Sequence, residues 1–203
     1  MRVIAGRFRG RRLGTVRDLS VRPVTDRVKQ TVFDTLGARM AFEGAEVLDL
    51  FAGSGSLGIE ALSRGAASAV FVEVQREAAA SLRANLALVG CGAEARVVEM
   101  DAVRFAETHD GAYDLVFADP PYAFEGTAGL PGLLFGRGLV RAGGLLSIEH
   151  AAGTAFPPSA LYREGPVKKF GRTFVTFFRA AAGAGTGTDT DERRPAAAEG
   201  DPS

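Results

Sequence analysis

The chain has 203 residues, 46% of them hydrophobic and 24% charged, an ordinary balance for a globular domain and enough length to bury a full core. No stretch approaches the ~18 consecutive apolar residues that a membrane span needs, and the arginine-rich start has no apolar signal segment behind it, so a cytoplasmic protein without membrane contact is expected. A single cysteine, Cys91, excludes an internal disulfide and a thiolate metal cluster, and no other metal-ligand set stands out.

The equal totals of 24 basic and 24 acidic residues hide an asymmetry. Residues 1–40 carry ten Arg/Lys against three Asp/Glu, residues 41–180 carry twelve against sixteen, and the last 23 carry two against five. A basic arm on a mildly acidic body suits a polyanion touched by one end of the molecule, although a charged flank that merely keeps the chain soluble has the same signature.

Three segments are expected: a basic hairpin over residues 1–20, a catalytic domain over 21–180, and a disordered tail over 181–203 whose Ala, Gly, Thr, Asp and Pro show no apolar periodicity. Over the first segment, apolar residues alternate with Arg7, Arg9, Arg11 and Arg12 between glycines, which predicts a twisted hairpin with a cationic outer face. Arg22-Pro23 forces an extended link, and Thr25 is placed to cap a helix with Val28, Val32 and Leu36 on its apolar side, Arg27 and Lys29 on the other, and Gly37 as its stop.

From Val47 short apolar runs alternate with helical stretches, the pattern of repeated βα units and a mostly parallel sheet. Strands are predicted at Val47–Phe51, Val70–Glu73, Ala95–Glu99, Asp114–Ala118 and Leu145–Glu149, with helices at Ser56–Arg64 and Arg76–Val89, the second ended by Gly90. Tyr162–Lys169 and Thr173–Phe178 flank Phe170-Gly171-Arg172 and predict an antiparallel hairpin at the sheet edge. The fold class is therefore α/β and Rossmann-like, with seven strands.

The first strand runs into Asp49-Leu50-Phe51-Ala52-Gly53-Ser54-Gly55-Ser56-Leu57-Gly58. Glycines at such a turn let the backbone approach a ligand and open the next helix, and Glu73 lies twenty residues past Gly53, where a ribose-binding carboxylate belongs. A dinucleotide such as NAD meets this pattern, as does packing alone. Asp49 argues against NAD, because a carboxylate ahead of the turn repels a pyrophosphate but suits the cationic end of S-adenosylmethionine. Asp101-Ala102 follows the third strand, where a loop can meet an adenine ring or simply cap a helix.

Asp119-Pro120-Pro121-Tyr122 ends the fourth strand. Two prolines fix two φ angles and remove two donors, which leaves rigid acceptors between a carboxylate and an aromatic ring. An exocyclic amino group is a poor nucleophile while its lone pair is delocalised into the ring. Acceptors aimed at its N–H groups localise that pair, and a stacked ring orients it. The glycine loop, the acidic strand end and this tetrapeptide, in that order, resemble methyltransferases acting on exocyclic nitrogens of nucleobases. His109 and His150 are read as a loop and a strand-end residue.

Residues Arg2–Leu13, Arg22–Phe33, Asp49–Glu60 and Asp119–Tyr122 together resemble the bacterial 16S ribosomal RNA guanine-N2 methyltransferases of the small-subunit methyltransferase D type, over about residues 1–180. That resemblance implies a class I methyltransferase fold, S-adenosylmethionine as donor, and 16S rRNA within the small subunit or an assembly intermediate as partner, with a monomer expected. It gives Asp49, Gly53, Gly55, Glu73, Asp101 and Ala102 to the cofactor, Asp119, Pro120, Pro121 and Tyr122 to catalysis at the guanine, and Arg7, Arg9, Arg11, Arg12, Arg22, Thr25 and Arg27 to the RNA. Gln30, where the family is expected to have glutamate, and Arg172, where its loop has an acid or amide, depart from the pattern. DNA adenine-N6 methylation shares the two central motifs, and a non-catalytic RNA-binding assembly factor would share the basic arm.

Overall fold

The computed structural model describes residues 1–14 and 26–181. The expectations for Arg22, Thr25 and the tail lie outside these. In chain order the elements are α1 (Asp26–Gly37), β1 (Glu46–Leu50), α2 (Ser56–Ser63), β2 (Ser68–Val72), α3 (Arg76–Val89), β3 (Ala95–Val98), α4 (Ala102–Thr108), β4 (Tyr113–Ala118), α5 (Leu130–Gly136), β5 (Val140–Ala151), β6 (Tyr162–Phe170) and β7 (Thr173–Ala180).

The seven strands form one sheet in the order β3-β2-β1-β4-β5-β7-β6. The first five run parallel, and β7 enters antiparallel between β5 and β6. The chain steps outward from β1 to β3 and then returns to the other side of β1 at β4. This is a topological switch point, where the carboxyl ends of neighbouring strands leave a crevice.

Alternation along each central strand builds two cores. On one face Val47, Phe71, Leu115, Phe117 and Leu145 pack with Phe33 and Leu36 of α1, Ile59 and Leu62 of α2, and Leu82 and Leu86 of α3. On the other Leu48, Leu50, Val116 and Leu146 meet Phe105 of α4 and Leu134 of α5. Helix α3 buries Ala79, Leu82, Leu86 and Val89 at helical spacing and stops at Gly90, whose φ of 82° lies in the left-handed region.

The N-terminal segment closes on itself through one antiparallel bridge, Arg2 to Arg12, with Val3, Gly10 and Leu13 donating their N–H groups across it, while those of Ile4, Ala5, Arg7 and Phe8 go to α2. Ile4 and Ala5 donate their N–H groups to Glu60 at 2.8 and 3.0 Å, and Phe8 N–H donates to Ser63 Oγ at 3.0 Å. Gly6, at φ 79°, lies so close to α2 that a Cβ there would stand 1.7 Å from the Ser63 carbonyl oxygen. Lys29, expected on the outer side of its helix, is instead fully buried. It donates to the Arg2 carbonyl at 2.6 Å and pairs with Glu60 at 3.3 Å, and Arg64 pairs with the same carboxylate at 2.9 Å. Burial holds the Lys29 pKa below the usual lysine range despite the opposing pull of Glu60.

Candidate active site

The acidic ends of four parallel strands fall on one face of the sheet. Asp49 follows Val47 by two residues, Glu73 follows Phe71, Asp119 follows Phe117, and Glu149 follows Ser147, so each points to the face that carries α1 to α3. Together they line one cavity of about 1390 Å³ at the carboxyl edge. A single small-molecule pocket spans roughly 300–1,000 Å³. The cavity has room for two ligands side by side.

The β1–α2 loop supplies one wall. Phe51 is the one non-glycine residue with positive φ among the described residues, at 58°, a conformation that costs on the order of 1 kcal/mol and recurs at ligand-binding turns. Gly53 N–H donates to Glu73 Oε2 at 2.8 Å while Gln75 N–H donates to Oε1 at 2.7 Å, so Glu73 ties the loop to the end of β2. Asn85 of α3 donates to both the Ser54 and Gly14 carbonyls at 2.9 Å, which anchors loop and N-terminal segment together. Asp49 is buried and accepts one hydrogen bond, from Gly58 N–H at 2.9 Å. Burial, opposed by that bond and reinforced by Asp119 and Glu73, pushes its carboxyl up to about 8.

The Asp119–Tyr122 segment forms the facing wall. Phe124 N–H takes the Pro121 carbonyl at 2.8 Å, whereas the Pro120 carbonyl accepts no hydrogen bond among the described residues. Tyr122 is 59% exposed and its hydroxyl bonds Thr173 at the start of β7, which fixes the ring over the cavity mouth. Burial raises the Asp119 carboxyl, and burial with the neighbouring Asp119 charge raises Glu149.

Of the residues singled out from sequence, the cavity brings together Asp49, Gly53, Glu73, Arg27 and the whole of Asp119, Pro120, Pro121 and Tyr122. Others lie apart. Gly55 is buried away from the cavity, and a Cβ on it would meet Leu82 Cδ1 at 2.2 Å, so this glycine serves close packing of α2 on α3. Asp101 caps α4 by accepting from Arg104 N–H at 2.9 Å, and Ala102 belongs to the second core. Arg9, Arg11 and Arg12 are exposed and make no ion pair among the described residues, while Arg7 pairs with Glu94 and lies 4.5 Å from the Phe8 ring centre. Gln30 bonds Asp34 within α1 at 2.6 Å, and Arg172 is exposed at the β6–β7 turn.

Several lining residues were not anticipated: Phe51, Val74, which is 62% exposed, Phe124, Lys168 and above all Glu149. Glu149 carried a readable signal, since like Glu73 and Asp119 it is an acid that ends an apolar strand. Burial and Glu94 push the Cys91 thiol up to about 12, so it is no nucleophile at neutral pH. Among the described residues no group of three or more His, Cys, Asp or Glu could hold a metal ion, and no helix is long and apolar enough to cross a membrane.

Strand order, switch-point cavity and glycine loop define a Rossmann-like class I methyltransferase fold. Residues 1–179 match the model of the family described as conserved hypothetical protein 95, and the chain belongs to that family. The ribosomal RNA small subunit methyltransferase D of Escherichia coli (strain K12) is 43% identical over 122 residues, a match spanning 60% of this chain and 60% of that relative, which is less than two thirds of its length. YlbH of Bacillus subtilis (strain 168) is 38% identical over 153 residues, 74% of this chain and 82% of the relative. The solved structure of yhhF from Escherichia coli superposes with a TM-score of 0.79 at 34% identity, covering 90% of this chain and 98% of that one.

Proposed function

We propose that the protein transfers a methyl group from S-adenosylmethionine to the exocyclic N2 of a guanine in 16S ribosomal RNA of the small subunit. The observation that carries this reading is that the Asp49–Gly53–Glu73 wall and the Asp119–Tyr122 wall line one cavity. The name of the Escherichia coli relative supports the RNA assignment.

The donor set fits the cofactor. Ser56 Oγ, at the start of α2, is buried on the cavity lining with no hydrogen-bond partner among the described residues. Asp49, with one backbone bond, is matched to a cationic amino-acid end, Glu73 to ribose hydroxyls, and exposed Val74 to the face of an adenine. When bound, S-adenosylmethionine supplies an electrophilic methyl on a positively charged sulfur. The chain's own residues do the rest. Asp119 and the open Pro120 carbonyl accept from the target amine and localise its lone pair, and Tyr122 stacks on the base to hold the nitrogen in line. A base must leave its helix to reach this depth.

Incubating the purified protein with methyl-labelled donor and either small ribosomal subunits or duplex DNA tests the assignment, with the product mapped by mass spectrometry. N2-methylguanine in the small-subunit RNA is expected. Label in DNA alone would overturn it, and RNA binding with no transfer would favour an assembly factor. Calorimetry is expected to give heat with S-adenosylmethionine and none with NAD.

A further inference from the structure

Glu149 has no assigned task in the chemistry above, and its surroundings explain it poorly as a structural residue. The register pairs Ala118 of β4 with Ile148 of β5, so Asp119 and Glu149 are the next residues of adjacent parallel strands and share a face. Both line the large cavity, and both border a small void of about 10 Å³ beneath it, beside Val28, Val32, Leu57 and Val175. Among the described residues neither carboxylate accepts a hydrogen bond or forms an ion pair. Two acids packed side by side over apolar residues, with no cation paired to either among the described residues, cost stability unless a ligand supplies donors.

Guanine is such a ligand. On one edge it carries the N1–H beside the N2 amino group, two adjacent donor sites, whereas adenine has an unprotonated acceptor at N1. The geometry points to Glu149 as a second reader of the target base, its carboxylate accepting the guanine N1–H while Asp119 accepts from the N2 amino group. This rests on the guanine reading above and extends it: the Asp-Pro-Pro-Tyr segment engages any amino-bearing ring, and Glu149 on the neighbouring strand selects the ring whose N1 carries hydrogen. Burial, joined at Glu149 by the neighbouring Asp119 charge, holds both carboxyls above their usual range in the free protein, and donors on the base edge would offset it.

The test compares guanine with 2-aminopurine, which keeps the 2-amino group but has a bare N1, at the target position of small-subunit RNA once the product has been mapped. The wild type should prefer guanine in kcat/KM by roughly tenfold or more, the scale of one charge-assisted hydrogen bond. In Glu149→Gln, whose amide can donate to a bare N1, that preference should shrink at least about tenfold, with donor affinity by calorimetry unchanged. A structural role would lower both rates together and leave their ratio alone. An unchanged ratio in the variant, or a wild type that accepts 2-aminopurine as readily as guanine, would overturn the assignment of Glu149 while leaving the guanine-N2 reading intact. Absence of N2-methylguanine from the wild-type reaction would instead overturn that reading itself.

Discussion

Two clusters of charge on the same face of the sheet, one buried and one at the partly buried strand ends, are built on opposite principles. Around Glu60 the carboxylate is fully answered: two backbone N–H groups, Lys29 and Arg64 converge on it, the Lys29 ammonium also reaches the Arg2 carbonyl, and only Arg64 Nη2 is left without a partner among the described residues. At the strand ends Asp119 and Glu149 have no hydrogen-bond partner among the described residues, and Asp49 has one. Burial is comparable for Glu60 and Asp49, so burial alone does not separate them. What separates them is completeness. A finished cluster holds the fold together, and an unfinished one waits for donors or positive charge from outside the chain.

The sharpest way to break this contrast is to remove an unfinished group. Asp119→Ala should lower methyl transfer by on the order of 10³-fold, as loss of an electrostatic partner to the reacting group does, while RNA affinity by filter binding stays within a few-fold. Removing a finished group should act on stability instead. Glu60→Gln leaves Lys29 buried without its countercharge and should cost about 3–5 kcal/mol in urea unfolding.

Asp49→Asn should go the other way in the ligand-free protein. A carboxyl raised from the usual range to about 8 binds its proton more tightly when folded, so its contribution is fully present below about pH 4, declines through the interval, and is lost above about pH 8. The asparagine variant is therefore expected to exceed the parent by about 1 kcal/mol or more near pH 9 and to match it near pH 4, while losing donor binding. The smallest effect on stability is expected from charge reversal at exposed Arg9, Arg11 and Arg12, within about 0.5 kcal/mol. That variant should bind the RNA more weakly and with a shallower salt slope, with donor affinity preserved; joint loss of both would mean the arm and the cavity are one binding unit.

The sequence made the sheet, α3 and the two cavity walls legible because each rests on a short-range pattern: alternation, a 3.6-residue stripe, glycine punctuation. Of helix α4 only the cap at Asp101 was anticipated, and α5 was not anticipated at all, since it sits among Gly129, Pro131, Gly132 and Gly136, residues that signal a loop. Lys29 was assigned to the surface because lysines almost always lie there, and its partner Glu60 is distant in sequence. Gly55 carried the spacing of a ligand-binding glycine but answers to Leu82 of α3, a contact only the tertiary fold creates. Glu149 gains its meaning from β4–β5 pairing, which no local pattern specifies.

The row of strand-end acids also sorts what can enter. The strand ends that wall the cavity carry only acids, Asp49, Glu73, Asp119 and Glu149, while Arg27, Lys168 and Lys169 lie on its lining from α1 and β6. For a nucleic acid the low-energy arrangement leaves the sugar-phosphate strand with the cations and sends inward only the uncharged base. For the substrate proposed above, the cavity would then act as an electrostatic sieve that favours an unstacked nucleotide before any hydrogen bond to it has formed.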